Sequence, residues 1–293
     1  MVKPVSGPLH VTSGDRSGEV MEEAGLPGEI LVWHDLLYEG PRTPGWPDGD
    51  ILQRRSLFIE EMTAGGLTQQ EVLHTFEFQY EQLAKLPVEA EVVLWFDACL
   101  FDQSMLVHLL ACLHHQGITG QVMLLCIDSF PGIEPFIGLG QLDSAQLLSR
   151  YDTRRSVSAS QFRFASEVDQ VFAGQDVKRA KALSHQKKAP IKWVPAAMRR
   201  WLQEQPDPDT GLGRLEAMAL EAVHQGCQKP WDIFNFAAAA ETPPQFWGDT
   251  TLWAKINDLA DHRPPLVRIE GPTARLPQWS GEINLQDFEV FPC

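Results

Sequence analysis

Six acidic residues fall at or just past the ends of apolar runs: Asp15, Asp35, Glu39, Asp97, Asp102 and Asp128. Clustered carboxylates support two kinds of chemistry. They ligate Mg²⁺ or Mn²⁺ through oxygen, or they divide acid and base roles when mutual repulsion raises one pKa. The densest case is residues 92–103, VVLWFDACLFDQ, where a run that reads as a buried strand closes on Asp97 and Asp102 follows five residues later. Residues 29–41, EILVWHDLLYEGP, repeat the pattern, with Trp33 and Asp35 at the spacing of Trp95 and Asp97. Asp97, Asp35 and Asp128 are therefore the catalytic candidates, and Asp97 with Asp128 the candidate ligands of a Mg or Mn ion. Asp15, His10, Gly14, Glu39 and His34 are the candidate ligand-binding residues beside them. The plainer alternative is that such acids cap helix N-termini. Asp102, just ahead of a helix predicted to start at Ser104, fits that alternative well.

Other constellations are weaker. Residues 13–18, SGDRSG, have the form of a phosphate-cradling turn at a helix N-terminus. No GxGxxG or Walker pattern accompanies them, and a tight strand-to-helix turn needs glycine equally. His10 and His34 flank the same strand ends, where inward histidines are also ordinary core residues. His108, Cys112 and His115 share a helical face at a spacing open to zinc. At 100° per residue that face lies opposite the Leu106, Leu110 and Leu113 stripe, toward solvent, with no fourth ligand in view. There is no GxSxG elbow, and Cys99 lacks a His at a recognisable spacing.

Strands followed by helices must position these residues. Residues 9–12 (LHVT), 30–33, 92–97 and 121–127 (QVMLLCI) read as strands, and amphipathic stretches near 51–64, 68–86 and 104–116 read as helices. Near-continuous apolar strands alternating with helices predict an α/β fold, a mainly parallel, Rossmann-like sheet covered on both faces. Ligands of such sheets bind at the carboxyl ends of the strands.

The totals fit a soluble globular chain of 293 residues and about two domains, 44% apolar and 22% charged. No apolar run reaches membrane-spanning length and no hydrophobic signal core opens the chain, so a cytoplasmic location is expected. Five cysteines without a CxxC pair predict neither a disulfide framework nor a zinc ribbon. Residues 1–150 carry a net charge of -14 and residues 151–293 of -1, within the chain's total of -15. The front half should repel polyanions.

The chain is expected to divide into an α/β domain over 1–150, a helical basic connector over 151–205 and a winged-helix-like domain over 206–293. Three helices, near 215–223, 230–240 and 250–260, precede a hairpin expected from 266–270 and 282–285. Residues 177–203 hold eight basic side chains and no acid. Lys187, Lys188, Arg199 and Arg200 are the candidate nucleic-acid contacts, although a basic helix face docked on the acidic front half explains the same charges. The third helix of the winged module offers Lys255 against Asp249, Asp258 and Asp261, which disfavours DNA.

Several segments carry a resemblance: LHVTSGD (9–15), LPGEILVWHDLLYEGP (26–41), LWFDACLFDQ (94–103), PGIEPFIGLGQL (131–142), GLGRLEAMAL (211–220) and WGDTTLW (247–253). With these the chain resembles a bacterial family whose N-terminal part is the domain of unknown function DUF 1835. It departs from the family at Asp97-Ala98, where members often carry Glu-His. The resemblance implies no activity. The residues themselves favour a ligand-binding or hydrolytic domain that handles a phosphorylated or nucleotide-type small molecule through its carboxylates. The alternative is a non-enzymatic regulator that binds nucleic acid or a protein through its C-terminal module.

Overall fold

The run VVLWFD forms a strand, Val92–Asp97, buried along its whole length. It accepts neighbours on both edges, which is why every side chain in it is apolar until Asp97. The structure, a computed structural model, describes residues 7–278 and 283–293. In chain order its first elements are β1 (Leu9–Ser13), α1 (Asp15–Glu23), β2 (Glu29–Trp33), α2 (Gly49–Met62), α3 (Gln69–Ala84), β3 (Val92–Asp97), α4 (Leu100–His115) and β4 (Val122–Ile127). There follow α5 (Ser144–Arg150), β5 (Arg155–Ser156), α6 (Ala159–Ala173), α7 (Val177–Ser184) and α8 (Val194–Gln203).

The sheet order is β2-β1-β3-β4-β5, with the first four strands parallel and only the short edge strand β5 antiparallel. This is the mainly parallel α/β sheet that the alternating pattern predicts. β1 is followed by β2 on one side and is paired with β3 on the other, so the order reverses between β1 and β3. On one face Val93 and Trp95 pack with Val20 and Met21 of α1, Leu147 of α5 and Phe136 and Leu139 of the loop between β4 and α5.

The helix after β3 starts four residues earlier than its leucine stripe implies. It is buried nearly all round, His108 and Cys112 included. The expectation that this His-Cys face meets solvent therefore fails at His108 and Cys112 and holds only at His115, which is exposed. A stripe locates one packed side of a helix but says nothing of a second, and α6 packs on α4 as well.

The chain forms two compact units: residues 1–52, 74–199 and 243–245, and residues 53–73, 200–242 and 246–293. The basic connector thus belongs mostly to the first unit, a division that differs from breaks at 150 and 205. The second unit contains α9 (Arg214–His224), α10 (Pro230–Ala240), α11 (Asp249–Asp261), β6 (Val267–Glu270) and β7 (Glu289–Pro292). Leu215, Ala219, Ile233, Trp253, Ile256 and Phe288 are among its core.

β6 pairs with β7 antiparallel. The second strand of the expected hairpin was placed at 282–285. Residue 282 lies outside the described residues, and Leu285 opens a single 3-10 turn that Asn284 caps, its Oδ1 accepting from the Gln286 N–H at 3.0 Å. The strand forms later because Phe288 and Val290 supply the inward apolar alternation. Among the described residues no helix is long and apolar enough to cross a membrane.

Candidate functional site

The site grows from the turn between β3 and α4. Asp97 ends the strand and accepts the Cys99 N–H on Oδ1 at 2.8 Å, which bends the chain out of the sheet. Cys99 is the N-cap of α4, its Sγ 3.5 Å from the Asp102 N–H. Asp102 is therefore not the residue ahead of the helix; it sits inside the first turn, a position suited to a carboxylate. From there its Oδ2 accepts the Asp97 N–H at 2.6 Å and its Oδ1 the Ser13 hydroxyl at 2.5 Å. One carboxylate thus joins the ends of β1 and β3, on either side of the reversal in strand order. Gln245, distant in sequence, closes the same turn: its Oε1 accepts the Leu100 N–H at 2.9 Å and its Nε2 donates to the Ala98 carbonyl at 3.1 Å.

Asp97 and Asp102 retain 8% and 2% exposure. Burial, and then the charge of Asp102, push the Asp97 carboxyl well above its ordinary range. Burial also lifts Asp102, to about 6, against the pull of the bonds from Ser13 and the Asp97 N–H. Two carboxylates this close and this dry cannot both be ionised cheaply. Both oxygens of Asp102 receive donors, whereas Asp97 receives one, so the ionised partner is Asp102 and the proton sits on Asp97. Burial likewise raises the thiols of Cys99 and Cys126, which are inert as nucleophiles in this setting.

Gly138 covers Asp97. Its φ of 151° is open to glycine, and a Cβ there would stand 2.8 Å from Asp97 Oδ2. A Cβ on Gly140 would meet the Arg16 side chain at 3.3 Å, so the loop between β4 and α5 runs from β3 to the start of α1. That start is Gly14, at φ 74° and without a side-chain cap. Open space surrounds the position where a Cβ would sit, so Gly14 is needed for its backbone angle, not for a close approach.

The other acids lie at the same end of the sheet but do not join the pair. Asp15 is largely exposed and accepts from His34 Nε2 at 2.7 Å. The Gln79 amide grips His34 through both backbone groups, at 2.6 Å and 3.2 Å, and so finishes edge strand β2 as a partner strand would. Asp35 is buried with Oδ1 turned back on the Leu36 N–H at 2.7 Å, and Glu39 is half-buried beyond it.

The likeness of the two Trp-x-Asp segments does not extend to three dimensions. Trp33 pairs in register with Ser13 but Trp95 with Thr12, and a one-residue offset sends side chains to opposite faces. Trp95 accordingly stacks on Tyr151 while Trp33 meets Tyr80 edge-on.

Asp128 was expected to share a metal with Asp97, and the structure does not bring them together. Asp128 accepts from Trp193 Nε1 at 2.7 Å and Lys192 Nζ at 3.0 Å. Burial works against its charge, but those bonds and the lysine outweigh it and hold the carboxyl below its usual range. Among the described residues the group with donor atoms within 4.8 Å of one another is Asp97, Cys99 and Asp102. Mg²⁺ and Mn²⁺ want oxygen ligands and retained waters. A buried set of two carboxylates and a thiol, with both oxygens of Asp102 already accepting hydrogen bonds, does not fit them.

His10 is fully buried and packs as a core residue. Trp95 Nε1 donates to its Nδ1 and its Nε2 faces the Pro27 carbonyl, each at 3.0 Å. Both ring nitrogens are used, and burial lowers its pKa, keeping the ring neutral.

A second buried polar cluster, not anticipated from the sequence, lies in the same unit. Arg42 bonds Asp169, whose Oδ2 also accepts the Gly45 N–H at 2.6 Å. His108 Nδ1 is 3.2 Å from Asp169 and its Nε2 2.6 Å from the Tyr80 hydroxyl. Burial opposes the Asp169 charge, but Arg42 and His108 prevail and bring its pKa to about 2.

Of the basic candidates, Lys187, Lys188 and Arg199 are exposed. Arg200 is not: it is buried at 3% exposure, bonded to Glu241 Oε1 from Nε at 3.0 Å and Nη2 at 2.6 Å, and to Glu204. It is a structural ion pair of the second unit. The chain matches no protein-family model, and no curated protein matches it.

Proposed function

We propose that the first unit binds a phosphorylated or nucleotide-type small molecule at the β1/β3 switch point, with protonated Asp97 as the acid–base group. The observation that carries this reading is the parallel order β2-β1-β3-β4, which sets the carboxyl ends of β1 and β3 side by side where the connections diverge. Doubly wound sheets bind ligands there. The uncapped start of α1 suits an anionic group. Asp15 would repel such a group, but it turns outward to His34. A carboxylic acid that keeps its proton donates to an anionic oxygen, and Asp102 is the fixed charge that holds that proton in place.

The test is calorimetry with a panel of nucleoside mono-, di- and triphosphates and sugar phosphates, with and without Mg²⁺. At least one member should bind, and Asp97→Asn should weaken it about tenfold or more, the ~1.4 kcal/mol of one lost charge-assisted contact. Silence across the panel, or unchanged affinity in both Asp97→Asn and Asp102→Asn, would refute the reading.

For the second unit the winged-helix-like reading is retained as part of the proposal, supported by three helices followed by an antiparallel pair. Lys255 on α11 lies near Glu216 at 3.8 Å and Asp258 at 3.7 Å. That helix is already neutralised, which favours a protein partner over DNA.

A further inference from the structure

The chain is strongly acidic, yet α7 and the turn after it carry an uninterrupted set of exposed cations. Asp176 caps the helix, accepting from the Arg179 N–H at 3.0 Å, and from there to Gln203 no acid occurs. Ala180 and Leu183 turn inward while Lys178 and Lys181 stand in solvent, one turn apart on the same side. Lys187 and Lys188 follow within four residues of the helix end. Arg199 of α8 reaches that end too, donating to the Ser184 carbonyl at 2.6 Å. The neighbouring cations are spoken for: Arg179 lies 3.7 Å from Glu167, and Lys192 is held by Asp128 at 3.0 Å. Among the described residues none of the other five takes part in an ion pair.

We propose that this surface, Lys178, Lys181, Lys187, Lys188 and Arg199, binds the sugar-phosphate backbone of a nucleic acid. The proposal does not depend on the small-molecule site. The choice of partner follows from what the patch lacks. Among the described residues the exposed large apolar side chains are Leu57, Phe78, Val88, Ile137, Leu148 and Trp231, and none falls within residues 177–199. Protein interfaces draw their affinity from desolvated aromatic and apolar anchors and are poor in lysine. Membrane-surface helices insert an apolar face. A phosphate backbone asks only for spaced positive charge. The chain's net charge of -15 is no bar, because charges beyond about 8 Å are screened at physiological ionic strength.

The experiment is fluorescence anisotropy of the full chain with labelled oligonucleotides of about 20 residues, single-stranded and duplex, in DNA and RNA forms. Five phosphate contacts imply a loss of about 100- to 500-fold in affinity between roughly 50 and 200 mM salt. Lys187→Gln with Lys188→Gln should bind more weakly at low salt and lose only about 20- to 40-fold over the same range. Lys85→Gln, an exposed lysine paired with Glu81 at 2.9 Å, is the control and should match the parent. The single-strand and duplex arms decide which form is preferred. No binding at low salt overturns the proposal, as does an equal response of the control and the double variant. Binding to poly-glutamate in place of every oligonucleotide overturns it in favour of an acidic protein partner.

Discussion

Two buried polar clusters of the first unit push their aspartates in opposite directions. In the Arg42–Asp169–His108 cluster a guanidinium answers the carboxylate, and Asp169 falls to about 2. In the Asp97–Asp102 cluster no cation among the described residues answers either carboxylate; Asp102 rises to about 6 and Asp97 goes well above its usual range. Burial is common to both, so the difference lies in the partner. A balanced cluster holds structure. An unbalanced one stores a proton at a cost to stability, and such groups concentrate at functional sites.

The largest effect should come from breaking the balanced cluster. Arg42→Ala leaves Asp169 buried without its guanidinium and should remove about 3–5 kcal/mol in denaturant unfolding. A loss below about 1 kcal/mol would mean that the cluster does not hold the 37–45 loop to α6.

The next effect is a contrast in pH dependence. The Asp169 contribution is complete above about pH 4, its unfolded pKa, and is lost as pH falls toward about 2. The raised carboxyls act with the opposite sign: their protonated pair is tolerated below about pH 4, and stability is lost as pH rises through about 6, the folded value of Asp102. Asp97→Asn should therefore raise the Tm at neutral pH, by an amount equivalent to ~1–3 kcal/mol, and flatten that decline, while weakening ligand affinity about tenfold or more. If Asp97→Asn is less stable than the parent at pH 7, the pair is an ordinary structural contact.

The smallest effect concerns the loop over the pair. Gly138→Ala sets a methyl group against Asp97 Oδ2 in a backbone region that disfavours it, and should cost about 1–2 kcal/mol. Ligand affinity should fall more than stability does. Equal affinity in parent and variant would remove the loop from the site.

Strand identities and the end of the sheet that carries the acids were legible because both follow from local pattern: VVLWFD can only be a buried strand, and an acid at its exit marks its carboxyl end. The position of Asp97 at that end was legible for the same reason. Asp102 was misread as a cap because the leucine stripe dates the helix from Ser104, whereas its first turn begins at Leu100. Gln245 carries no local signal and Ser13 only that of a glycine turn; their bonds to the β3–α4 turn depend on what the fold places beside them.

By itself, then, the sequence determined a mainly parallel α/β sheet, the end of that sheet where the acids fall, and a basic segment in an acidic chain, since periodicity and charge are properties of neighbours along the chain. Only the tertiary structure decided which charges meet. The one-residue offset between β2 and β3 parted Asp35 from Asp97, and Lys192 drew Asp128 away from it. Glu241 took Arg200 out of the basic surface, and burial made His10 and His108 core residues. Whether a charge is answered is a property of distances across the fold, and no spacing along the chain encodes it.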